Sequence, residues 1–205
     1  FAETMLFAQT GTLLFHWLTG ERYVDWTNAS FMGVYDFHTR NWSSEIADRL
    51  GVDLDLLASV TAPHVTFPLK RERASELGLR PGTPVALGGI DGAMSSVGVG
   101  AIHVGDLFDV SGTSEMVAAC LSKPFVCPEL LGRWHVVPGI WVLIGAISTA
   151  GAALQWFRDE LFAPSSIKEA QVLYGTMTAE AAASPPGANG VVFLPHMMGE
   201  RAPIW

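Results

Sequence analysis

Asp91 lies in Gly88-Gly89-Ile90-Asp91-Gly92-Ala93, directly after a short apolar run that closes on two glycines. A carboxylate there can take the proton of a substrate hydroxyl, and the flanking glycines let a ligand approach the backbone. The alternative is an aspartate that only caps a helix. A second candidate is Ser111-Gly112-Thr113-Ser114, between two strand-like runs. Glycine beside hydroxyl residues makes a nest of N–H and O–H donors that suits phosphate oxygens without a basic side chain. The same residues also suit a plain polar β-turn. The third candidate is Ser148 to Gln155. Gly151 in the first turn of a helix lets a phosphate or ribose come near free N–H groups, and Gln155 lies four residues on along the same face. Close packing alone is the competing reading of Gly151.

Two further segments read as structure. Asp25-Trp26-Thr27-Asn28-Ala29-Ser30 has the look of a turn and capping segment, and Gly199-Glu200-Arg201 of an ion pair in a tight loop. The six histidines show no metal-ligand spacing, so no metal site is expected within the chain. No Gly-x-Ser-x-Gly elbow or Walker A loop is present, which lowers hydrolase and P-loop readings.

These residues need a packed scaffold, and the composition supplies one. Of 205 residues, 49 % are hydrophobic and 16 % charged, which excludes a disordered or coiled-coil chain. Twelve basic against 20 acidic residues leave a net charge of −8, so nucleic acid is not an expected partner and an anionic substrate must be held locally. Cys120 and Cys127 read as free thiols of a cytoplasmic protein. No signal peptide is expected at the start of the chain. Phe1 and Trp205 do not look like natural termini, and the expectation is an internal fragment of a longer protein. The nearly uncharged run Val136–Trp156 is broken by Pro138, Gly139, Gly145 and Gly151, so it reads as strand, turn and helix start rather than a membrane span.

The patterning predicts helices over Met5–Leu18, Val52–Val60, Arg71–Leu77 and Gly92–Gly100, one with serine N-cap candidates in Trp42-Ser43-Ser44-Glu45 that runs through Leu50 to Gly51, and one capped by Ser148 or Thr149 and running to Phe162. It predicts buried strands over 84–89, 141–145 and 191–194, a hairpin over 106–121, and an extended linker over Pro63–Pro68. Strands alternating with helices argue α/β, with a domain boundary near residues 101–105.

The order of motifs carries more than any one of them. It runs Leu18-Thr19-Gly20-Glu21, Asp25 to Ser30, Trp42-Ser43, Gly78-Leu79, Pro81 to Val85, Gly88 to Asp91 and Gly98 to Ala101. Gly112 to Ser114, Gln155 to Asp159, Leu194-Pro195 and Gly199 to Pro203 complete it. In that order and spacing the chain resembles the FGGY family of carbohydrate kinases, which includes xylulokinase, gluconokinase and glycerol kinase. The resemblance implies a ribonuclease-H-like, actin-like two-domain fold with ATP and sugar in the cleft between the domains. It implies that residues 1–101 belong to the N-terminal, sugar-binding domain and 102–205 to the C-terminal, nucleotide-binding domain. Asp91 then matches the catalytic base, Gly112 and Thr113 with Ser114 beside them the second phosphate-binding turn, and Gly151 and Gln155 positions that approach the nucleotide.

The implied cofactors are ATP and Mg²⁺. The family's Asp-x-Gly-Thr hairpin, most sugar-binding side chains and the adenine-binding glycine segment are expected outside residues 1–205. The implied acceptor is a ketopentose such as xylulose, or gluconate, for which the Gly92-Ala93 pair after the aspartate speaks. Gly92 argues against glycerol kinases, which carry Gln there. A homodimer with no membrane partner is implied as well. The alternative is a non-catalytic actin-like nucleotide-binding module.

Overall fold

The structure is a computed structural model and describes residues 3–200 and 202. Helix α1 (Thr10–Thr19) ends where Gly20 turns left-handed at φ 84°. It begins later than the apolar spacing from Met5 predicts, because the Phe7 N–H donates to the Leu56 carbonyl at 2.7 Å and draws that stretch out of the helix. Strand β1 (Tyr23–Asp25) runs directly into the short helix α2 (Trp26–Ala29). The ribbon of β2 (Tyr35–Asp36) and β3 (Asn41–Trp42) leads to α3 (Ser44–Leu50), capped by the Ser43 hydroxyl and stopped by Gly51.

The helix expected over Val52–Val60 does not form. Only Leu54–Leu56 turn, as a 3-10 helix capped by Asp53, and β4 (Ser59–Thr61) then pairs in parallel with β1. Pairing Val60 beside the buried Val24 outweighs the local helix signal. Within the expected linker, β5 (Thr66–Pro68) pairs antiparallel with β6 (Pro84–Ala86), and α4 (Arg71–Leu77) lies between them. The strand predicted over 84–89 is therefore shorter, and in this two-stranded ribbon Pro84 and Ala86 are exposed. Helix α5 (Asp91–Gly98) follows.

The expected hairpin forms from β7 (Leu107–Ser111) and β8 (Glu115–Leu121). With β9 (Leu131–Trp134) and β10 (Trp141–Ile147) it makes a four-stranded sheet in the order β7-β8-β10-β9. Helices α6 (Gly151–Phe162) and α7 (Ile167–Ala183) come next, then a 3-10 turn at Ala188–Gly190. The strand predicted over 191–194 is absent and all four residues are exposed. The Val191 N–H bonds back to the Ala188 carbonyl at 3.1 Å, so the preceding turn takes the first donor of the expected strand.

Packing divides the chain into two compact units, Phe1–Phe108 with Ala119–Val126 and Gly132–Leu143, and Asp109–Ala118 with Cys127–Leu131 and Ile144–Trp205. The core of the first gathers Val24, Ala29, Tyr35, Ala58, Trp134 and Trp141. The two indoles meet edge to face at 5.4 Å, and a side chain at Gly132 would collide with Trp141, so glycine in β9 makes room for that ring. In the second unit α6 and α7 bury Ala153, Ala170 and Met177. Cys120 and Cys127 are free thiols. Among the described residues no helix is long and apolar enough to cross a membrane.

Candidate functional site

Asp91 is the first residue of α5, exposed, one position past the N-cap Ile90. Its Oδ1 accepts the Gly92 N–H at 2.6 Å. A carboxylate in a first helical turn is favoured by the N–H groups that end there. The stretch leading to it is held from the first unit's interior. The Ile90 N–H donates to the Thr27 hydroxyl at 3.0 Å, and that hydroxyl donates to Asp25. Asp25 is buried and also accepts from the Thr27 N–H at 2.9 Å, the Asn28 N–H at 3.1 Å and the Asn28 amide at 2.6 Å. A Cβ on Gly89 would lie 2.8 Å from Val136 Cγ1 and 3.0 Å from Thr27 Oγ1. Gly89 is thus required by close approach. The segment Asp25–Ser30 caps α2, as its residue types predict, and also clamps the backbone that delivers Asp91.

Two residues near this helix carry no motif of their own. Arg133 is buried in β9 with its guanidinium 5.4 Å from the centre of the Phe31 ring. Burial lowers its pKa to about 10, while the negative charge of Asp91 works against that fall. His135, two residues on, has no exposed surface. Its Nδ1 accepts the Val137 N–H at 2.8 Å, so the neutral ring carries its proton on Nε2, 2.6 Å from the Ser96 hydroxyl oxygen. The Ser96 hydroxyl donates in turn to the Ala93 carbonyl at 2.6 Å. Burial lowers the His135 pKa, the charge of Arg133 lowers it further, and a hydrogen bond with the Ala101 backbone opposes both. The available signal was a charged and a polar residue in alternation beside a nearly uncharged run.

The second unit places the turn Gly112–Ser114 against the start of α6. The Ala150 and Ala152 N–H groups donate to the Thr113 carbonyl at 2.9 and 3.2 Å, and the Gly151 N–H to the Gly112 carbonyl at 2.9 Å. The N–H groups expected to be free for a phosphate are therefore occupied. The cap expected from Ser148 or Thr149 does not form either, because the turn carbonyls perform it. A Cβ on Gly151 would collide with the Gly112 carbonyl oxygen, so close packing explains this glycine. Gly112 spends its own N–H on the Ser114 carbonyl at 2.8 Å, inside the turn. Thr113 and Ser114 remain exposed, and Gln155 is exposed one turn along α6. Gly151→Ala is expected to destabilise the full-length protein by about 1–3 kcal/mol, the usual cost of overpacking a tight contact. Chemical denaturation reads it, and an unchanged midpoint would show that the turn can yield.

Beside this turn a cavity of about 920 Å³ opens within the second unit, walled by Gly112, Gly151, Leu154, Phe157, Met177 and Phe193. That volume is in the range of small-molecule sites. Its largely apolar wall suits a flat ring, and Glu115 and Glu180 among its lining residues disfavour a bare anion. Among the described residues no group of three metal-ligating side chains gathers. Glu200 accepts the Ser148 N–H at 2.9 Å and pairs with His196 at 2.9 Å. Arg201, its expected partner, lies outside the described residues.

Comparison with known proteins bears on both units. The N-terminal domain model of the FGGY family of carbohydrate kinases matches residues 1–98, and the C-terminal domain model matches 108–205. A gluconokinase of Bacillus licheniformis is 34 % identical over 200 residues, covering 94 % of this chain and 38 % of that protein. Among solved structures, gluconate kinase from Lactobacillus acidophilus superposes with a TM-score of 0.86 at 27 % identity, over 98 % of this chain and 40 % of that one. Xylulose kinase from Rhodospirillum rubrum gives 0.84 at 27 % identity, over 96 % and 40 %. The chain thus spans about two fifths of the length of the proteins it matches.

Proposed function

The chain belongs to the FGGY family of carbohydrate kinases and has the α/β, actin-like fold of those enzymes; on that premise we propose that the protein it forms part of transfers the γ-phosphate of ATP to a hydroxyl of a sugar or sugar acid. The observation that carries this reading is the setting of Asp91, a solvent-facing carboxylate at the head of a helix whose leading backbone is fixed by the buried Asp25–Thr27 pair. Asp91 takes the proton of the attacking hydroxyl. Phosphoryl transfer has a loose transition state, so the base accepts its proton late and positioning contributes most.

Gly112, Thr113 and Ser114 attend the phosphates of ATP, with the Thr113 and Ser114 hydroxyls as donors, since the N–H groups at the head of α6 are engaged. The apolar cavity takes the base of the nucleotide, with Gly151 at its wall and Gln155 further along the helix. Mg²⁺ bound with ATP supplies charge neutralisation on the phosphate oxygens. A cytoplasmic homodimer completes the reading.

For the acceptor, gluconate is the first choice: Gly92-Ala93 follows the base, and the gluconokinase relative supports it. Xylulose is the second, supported by the likeness to xylulose kinase. ADP release by the full-length protein across aldonates, ketoses and polyols separates them. The highest kcat/KM on gluconate is expected. A preference for xylulose overturns the first choice, and ATP binding without turnover on any acceptor points to a non-catalytic module.

A further inference from the structure

We infer that the buried pair Ser96 and His135 positions the helix that carries Asp91, setting how the carboxylate is aimed at its acceptor; this rests on the reading of Asp91 as the base. Helix α5 has eight residues, about 12 Å of rod at 1.5 Å per residue. Its leading end is tied at Ile90 to Thr27. The rotation of the rod about itself is set by what its buried face, Ala93 and Ser96, meets, and that rotation decides where Asp91 points. Ser96 is five residues along, roughly 140° round the helix from Asp91 at 3.6 residues per turn, and its bond to His135 fixes that angle.

His135 is itself anchored. The Trp26 indole N–H donates to its carbonyl at 2.8 Å, and the Val137 N–H holds its Nδ1 at 2.8 Å. Trp26 opens the helix that Asp25 caps, so both ties on α5 return to the same short segment. Ser96 and His135 have no exposed surface. A polar pair wholly enclosed gives less stability than apolar residues of the same volume, and its gain is a defined orientation. His135 also falls in the stretch matched by the C-terminal family model, yet packs within the first unit beside a helix matched by the N-terminal one.

The test uses full-length kinase with its best sugar acceptor and four variants, Ser96→Ala, His135→Gln, His135→Asn and Asp91→Asn. A glutamine amide can reach the Ser96 hydroxyl as Nε2 does, whereas asparagine replaces only the Nδ1 side. Ser96→Ala and His135→Asn are expected to lower kcat about tenfold or more, as small misplacements of reacting groups do. The KM values for ATP and sugar should stay within about twofold, and His135→Gln should recover most of the rate. Equal losses in the two His135 variants, or a KM change at constant kcat, overturn the positioning role. If Ser96→Ala is silent while Asp91→Asn abolishes turnover, this inference falls and the base assignment stands. If Asp91→Asn turns over normally, the base assignment itself has failed.

Discussion

Asp91→Asn in the full-length kinase is expected to lower kcat by about 10²–10⁴, the usual contribution of a general base, with little change in the KM for ATP. Asparagine is nearly isosteric and its oxygen can still accept the Gly92 N–H, the bond that Asp91 Oδ1 makes at 2.6 Å. The N-terminus of α5 should therefore keep its form. What asparagine cannot do is take a proton from the attacking hydroxyl. Separating those two capacities is why it is preferred to alanine, which also removes the helix-end carboxylate's own contacts. Steady-state kinetics with ATP and the best acceptor checks it, with circular dichroism as a control for fold. A loss smaller than tenfold would move the base to another residue and leave Asp91 as a helix-end acid.

The features legible in the sequence were those written in adjacent residues. Ser43 and Gly51 bracket α3 because a hydroxyl cap and a left-handed stop act within one turn of the helix they bound. The hairpin over β7 and β8 follows from polar turn residues between two apolar runs. The structure departs from the local patterning where a distant partner decides the outcome. The expected cap of α6 lost to two carbonyls from a turn far back in the chain. Residues 52–60 looked helical alone, but β1 was waiting to pair with their end. The run 191–194 has strand composition but pairs with no strand among the described residues.

Within the candidate site the pattern repeats. Asp91 and the turn at Gly112–Ser114 stand out by residue type. The tie between Thr27 and Ile90 joins residues 63 positions apart, and the Ser96–His135 bond joins residues 39 apart. Neither has a spacing that one sequence can reveal. Gly151 fits the packing alternative that its residue type left open. Its lack of a side chain serves a carbonyl of its own chain, although the position also lines the cavity proposed for the nucleotide.

Asp25→Ala is expected to be among the most damaging changes to stability, at about 3 kcal/mol or more, because it strands buried donors that only a carboxylate satisfies together. Four bonds end on Asp25, from the Thr27 N–H and hydroxyl and from the Asn28 N–H and amide. Asp25 and Thr27 are buried, so water cannot readily replace the lost acceptor. The consequence should reach beyond α2. Once the Thr27 hydroxyl loses its acceptor it is free to rotate, and the Ile90 N–H loses a fixed partner, loosening the backbone before Asp91. Urea denaturation of the full-length protein measures the stability loss, and amide exchange over residues 90–98 measures the second effect. Thr27→Val is the discriminating companion. It leaves Asp25 bonded to both N–H groups and the Asn28 amide but removes the oxygen that Ile90 uses, so exchange at Ile90 should rise for a smaller loss of stability, about 1 kcal/mol. Unchanged exchange at Ile90 in both variants would sever the proposed link between the capping segment and the base.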